Sequence, residues 1–124
     1  MNSISEAKSD PLLALVAEVM AEILHAEPVV TPLEVLLRLE LLDPDLVEKW
    51  RSGELPYLER GITTGLARVA RFLRLIAEQA KILGLQPTPG KYLRRGKGPK
   101  RKLRFSKRGD LESELAYSTH FTRV

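Results

Sequence analysis

The chain has 124 residues, 44% of them apolar, no cysteine and a formal net charge of +4 at pH 7. That length sustains one hydrophobic core but not two independent ones, and the apolar share belongs to a chain that folds. The lack of cysteine excludes disulfides, thiol catalysis and the common structural zinc sites.

The first segment, "MNSISEAKSDPLL", has no basic stretch leading into an apolar one, so no signal peptide is read and a cytoplasmic setting is expected. Helix starts are unusually legible after it. Asp10-Pro11, Thr31-Pro32 and Asp43-Pro44 each set a capping side chain before a proline, whose absent amide costs nothing at the first helical position. Thr31 is followed at the third residue by Glu34, the spacing of a reciprocal capping box. Helices are therefore predicted over 11–26, 32–42 and 44–52, with Pro28 ending the first and Gly53 the third. The first carries the stripe Leu12, Val16, Val19 and Ile23, widened by Leu13, Leu15, Met20 and Leu24. It holds Glu18, Glu22 and His25 and is too short to span a bilayer. Its apolar face suits either the core of this chain or a homodimer interface, since the spacing is heptad-like.

Residues 32–52 have the size of a helix-turn-helix unit. The second helix offers Lys49 and Arg51 beside Asp45 and Glu48, and Trp50 reads as a core anchor rather than a ligand contact. The longest helix follows. Ile62, Leu66, Val69, Leu73, Ile76, Ala80 and Leu83 recur at steps of four and three, predicting a helix that starts between Pro56 and Ile62 and closes at Gly84. Arg68, Arg71 and Arg74 form a ridge on its other side.

The C-terminal third is different in kind. Residues 84–90, "GLQPTPG", read as a short stiff linker. Residues 91–108 hold ten lysines and arginines and no acid, in "KYLRR" and "KLRFS" separated by "GKGPKR". Two short alternating segments around glycine and proline predict a β-hairpin, with Leu103 and Phe105 facing inward and Lys102 and Arg104 outward. Asp110 then caps a last short helix over about 111–118. The net charge conceals a strong asymmetry: residues 1–90 carry nine basic and thirteen acidic residues, residues 91–124 eleven and three.

So dense a cluster of like charge is costly without a counter-charge, and nucleic-acid phosphates would supply one. The expected phosphate contacts are Lys91, Arg94, Arg95, Lys97, Lys100, Arg101, Lys102, Arg104, Lys107 and Arg108. Arg68 and Arg71 extend the surface, and Tyr92 is placed to stack on a base. DNA and RNA are both open as partners, as are an acidic protein and plain solubility. A nuclease is the remaining chemical alternative, with Asp110, Glu112 and Glu114 beside Lys107 as its cluster, or centred on Asp110, Glu112 and His120, although alternate acids at a helix start are simply explained by the helix dipole. No metal or cofactor site is read. "GKYLRRGKG" fails as a phosphate-binding loop, because five residues separate Gly90 from Gly96 and Gly98 stands where a Ser or Thr is needed. "RGD" at 108–110 carries no adhesion role.

The segments "EKWRSGELPYLER" and "LRFSKRGDLESELAYSTHF" resemble a group of small bacterial proteins. The likeness is carried by Trp50, Arg51, Gly53, Pro56, Tyr57, Leu58 and Glu59, then by Leu103, Arg104, Phe105, Ser106, Gly109, Asp110, Tyr117, Thr119 and His120. It covers roughly residues 29–122 and implies a bacterial cytoplasmic setting without implying an activity. The expected protein is mainly α: a single domain over 1–124, with a helical core (11–83), the linker, a basic β-hairpin (91–108), and a short helix and tail (110–124). That makes four to five helices in all. It is expected to bind nucleic acid without being an enzyme. The alternative is a protein-interaction module.

Overall fold

The computed structural model describes residues 9–124, which form five α-helices and a small antiparallel sheet. Helix α1 spans Leu13–Ala26. It is entered through Asp10, whose carboxylate accepts from the Leu12 amide at 2.9 Å. Val16, Val19, Met20, Ile23 and Leu24 are buried within the same chain, so the apolar face that suited a homodimer is spent on the core. α1 packs on the longest helix.

Helix α2, Pro32–Arg38, starts as expected, with the Thr31 hydroxyl accepting from the Glu34 amide at 3.1 Å. The capping box is only half made, because Glu34 turns to Arg38, one helical turn on, at 2.9 Å. The helix ends four residues before the expected position. Glu40 takes a left-handed φ of 61°, and the Leu41 amide reaches back to the Leu36 carbonyl at 2.9 Å. This closure turns Leu41 and Leu42 into the core and sets Leu42 opposite Ile62 in an isolated bridge. Helix α3, Pro44–Arg51, is capped by Asp43 and buries Val47 and Trp50. Asp45, Glu48 and Lys49 remain outside, so its open face carries more acid than base and is poorly suited to enter a DNA groove.

The long helix starts later than its apolar period predicts. Residues Leu58–Gly61 form a 3-10 turn, and α4 runs Leu66–Ile82. The Leu58 and Glu59 amides donate to the carbonyls of Arg104 and Phe105, at 3.1 and 2.9 Å; tertiary acceptors replace a helical turn that Gly61 and Gly65 already weaken. The buried face is also rotated. Val69, Ile76 and Ala80 are inside as expected, joined by Phe72 and Leu75, while Leu66 and Leu83 at the two ends are exposed.

The stretch expected to be a linker is a strand. β1 (Val29–Val30), β2 (Gln86–Pro89) and β3 (Thr119–Thr122) form a sheet in the order β1-β3-β2. β3, expected to be a tail, is its centre, pairing Phe121 with Val30 on one side and with Pro87 on the other. Pro87 and Pro89 stand two apart and turn their missing amides to one side, as an edge strand allows. Arg123 extends the closure: its guanidinium donates to the Leu24 carbonyl at 2.6 Å, against the negative end of α1. Helix α5, Leu111–Ser118, is capped by Asp110. Among the described residues, no helix is long and apolar enough to cross a membrane.

Candidate nucleic-acid interface

Residues 91–109 contain less regular structure than a hairpin. Leu93 and Lys102 make one isolated antiparallel bridge, fixed by Leu103 N donating to Tyr92 O and Arg94 N to Arg101 O, each at 2.8 Å. The outer part turns through Gly96 and Gly98, with φ of 104° and 102°, a region open to glycine at little cost. The outward sides of both limbs are bonded to the body of the protein. Arg95 N donates to Arg51 O at 2.8 Å, and the Trp50 indole donates to Arg104 O at 2.7 Å.

The base of this arm is an aromatic cluster. Phe105 lies against Trp50, Tyr92 and Tyr117, with ring centroids 5.1 to 5.7 Å apart. Tyr92 in turn meets the edge of His120, whose Nε2 is 3.1 Å from the tyrosine hydroxyl. Burial holds the His120 pKa below its ordinary value, so the ring is neutral at pH 7. Leu103 and Phe105 face inward as expected. So does Tyr92, and this corrects its expected role: its ring packs within the protein and is not free to receive a base. Arg51 closes the cluster from outside, its guanidinium 5.3 Å from the Tyr92 ring centre.

Two carboxylates hold the arm down. Glu114 accepts from Phe105 N (2.9 Å), Ser106 N (2.8 Å) and Ser106 Oγ (2.7 Å). Glu59 accepts from Lys107 N and from the Tyr117 hydroxyl, each at 2.8 Å. Burial and then this bond to Glu59 push the Tyr117 phenol far above its ordinary pKa. These acids stand beside the cationic segment, yet they bind backbone amides and hydroxyls rather than its lysines and arginines. Sequence reading names Glu114 only among the acids of a nuclease alternative and Arg51 only as a cation of the helix-turn-helix unit, and it assigns Glu59 no role beyond its place in a segment carrying the resemblance.

The cations divide into committed and free. Arg95 has Glu48 at 3.8 Å and Arg108 has Asp110 at 3.9 Å, both at well-exposed positions where such pairs contribute little. Arg94 donates to Lys97 O at 2.8 Å and lies along Gly53, where an added Cβ would meet it at 2.9 Å. Arg104 lies 5.7 Å from the Tyr57 ring centre and donates to Ser106 O at 2.7 Å. Lys91, Lys97, Lys100, Arg101, Lys102 and Lys107 are exposed, and among the described residues none has a carboxylate partner. The expected extension along α4 fares less well. Arg71 is held by both oxygens of Asp10 at 2.6 Å, a bond that draws the Asp10 carboxyl below its usual range. Arg68 lies over the Phe72 ring at 5.4 Å.

The residues of the nuclease alternative do other work. Asp110 caps α5 through the Ser113 amide and hydroxyl, at 3.1 and 3.0 Å, which lowers its pKa. His120 is engaged with Tyr92, and Glu112 is exposed on the first turn of α5. A groove of about 850 Å³ lies between α4 and α5, lined in part by Leu66, Ala70, Leu73, Leu115 and Phe121 and reaching Arg108 and Asp110. The chain matches no protein-family model, no curated protein and no solved structure.

Proposed function

We propose that this protein binds nucleic acid, using the exposed lysines and arginines of residues 91–108 to contact phosphates, without catalysis. The observation that supports this reading is where the neighbouring acids point. Glu59 and Glu114 are within reach of the arm and are consumed by its backbone, while Lys97, Lys100, Arg101, Lys102 and Lys107 are left exposed. A surface that holds like charges together and denies them carboxylate partners gains most from an external polyanion, through release of that polymer's counterions.

The test is binding at low salt, with the double variant Arg101→Glu, Lys102→Glu as control. Both side chains are exposed, so the variant should unfold at the same temperature as the parent. Losing two phosphate contacts corresponds to about a 60-fold weaker complex at about 0.1 M salt. If purified protein, stripped of carried nucleic acid, retards neither DNA nor RNA at low salt, the reading fails.

One observation favours a second reading, an interaction module. Leu66 (52% exposed), Leu115 (48%) and Leu111 (74%) leave an apolar surface beside the α4–α5 groove. That reading predicts a protein partner retained after nuclease treatment and released by Leu115→Glu.

A further inference from the structure

Single-stranded nucleic acid is gripped mainly by flat rings on which bases stack, whereas a duplex presents its phosphates at higher charge density. The chain has seven aromatic residues, and the fate of each can be stated. Trp50, Tyr92, Phe105 and Tyr117, which lie at the base of the arm, are 0%, 8%, 3% and 4% exposed. Phe72 is buried beneath the Arg68 guanidinium, and Tyr57 is half-buried with Arg104 over its ring. Phe121 is half-buried on β3, paired with Val30 and Pro87. The arm therefore presents no ring to a base.

Base-edge readout needs a second kind of group, the two-pronged guanidinium that recognises guanine. Here too the arm is depleted. Arg94 and Arg104 donate to carbonyls of their own segment, and Arg95 and Arg108 lie beside Glu48 and Asp110. Arg95 and Arg108 are exposed and only weakly paired, and what remains without any internal partner is Arg101 and the lysines other than Lys100. Lysine is a point charge on a flexible stem, which suits a phosphate and discriminates poorly between bases. The arm is also no loose tail that could wrap a flexible strand. Arg51 O, Arg104 O and the Glu114 carboxylate fasten it to α3 and α5 on both of its limbs.

From these placements we infer that the ligand of residues 91–108 is double-stranded nucleic acid, held by its phosphates and without regard to base sequence. This inference rests on the nucleic-acid reading above and narrows it. Lys100 donates to the Gly96 carbonyl at 3.1 Å; five free cations, Lys91, Lys97, Arg101, Lys102 and Lys107, set the scale. Five phosphate contacts give a slope of log affinity against log salt of about −4.5 on duplex DNA and about −3.5 on a single strand. Raising salt from about 50 to about 200 mM then weakens the duplex complex about 500-fold and the single-strand complex about 130-fold.

The experiment is fluorescence anisotropy with the full chain. The probes are short labelled DNA duplexes of two unrelated sequences, the separated strands of each, and an RNA duplex, titrated across that salt range. The expected result is tighter binding to the duplexes than to their own strands at low salt, agreement of the two sequences within about threefold, and the steeper slope for the duplex. A single strand bound more tightly than its duplex, or a tenfold difference between the two sequences, overturns this inference and leaves nucleic-acid binding standing. Absence of binding to every probe at low salt overturns both.

Discussion

Replacing Glu114 by glutamine isolates the fastening of the arm. The carboxylate serves three donors, Phe105 N, Ser106 N and Ser106 Oγ, within 2.9 Å. A glutamine keeps one oxygen and so retains the amide on one side. On the other it brings an NH2 group against an N–H, which cannot bond. Ser106 is 2% exposed, so water has little access to replace the lost acceptor. A hydrogen bond to a charged group contributes about 1.5–3 kcal/mol, and Glu114 itself is half-buried, so about 2 kcal/mol of destabilisation follows. Trp50 is the chain's lone tryptophan and sits in the cluster that the arm covers, so its emission in a urea titration reads the event directly. With a urea dependence of about 1.5 kcal/mol per molar, the midpoint falls by about 1.3 M. A shift under about 0.3 M would mean that the three bonds do not hold the arm, and the fixed geometry assigned to its cations would lose its basis.

Two further outcomes test other parts of the fold. Gly90→Ala drives a Cβ into the Ser118 carbonyl oxygen and the His120 ring; the backbone oxygen cannot yield without opening the β2–β3 ladder, so a loss of about 3 kcal/mol is expected in the same titration, and a neutral effect would contradict the close approach. His120 has its pKa lowered by burial, so the unfolded chain binds the proton more readily than the native one. Its contribution to stability is complete above the ordinary histidine pKa of about 6.5 and is lost as pH falls through the lower native value. Thermal melts should therefore decline from about pH 7 to pH 5 in the parent and less steeply in His120→Gln; equal slopes would remove His120 as the titrating group.

Proposed duplex binding also bears on which substitutions matter for function. Arg71, engaged with Asp10, should be silent in binding assays and felt in stability. The exposed Arg101 and Lys102 should behave in the opposite way.

What could be read from the residues alone was whatever is decided within one helical turn. Thr31, Asp43 and Asp110 cap the helices they precede because a side-chain oxygen reaches an amide two or three residues on. The mainly α character follows from these starts and from the apolar period of residues 62–83. The charge asymmetry is likewise a property of composition. Tertiary structure decided the rest. Val29–Val30, Gln86–Pro89 and Thr119–Thr122 have no alternation worth the name; they are strands because segments as distant as Val30 and Phe121 close on each other. The apolar face of α1 had two possible covers, and the core of the same chain took it. Whether Tyr92 faced a base or the interior depended on Trp50, forty-two positions earlier, and His120, twenty-eight later. Most of all, the count of cations was plain from the start, but their freedom was not. That depended on Glu59 and Glu114 giving their oxygens to amides across the fold, a choice that buried hydrogen bonding enforces and that no local pattern records.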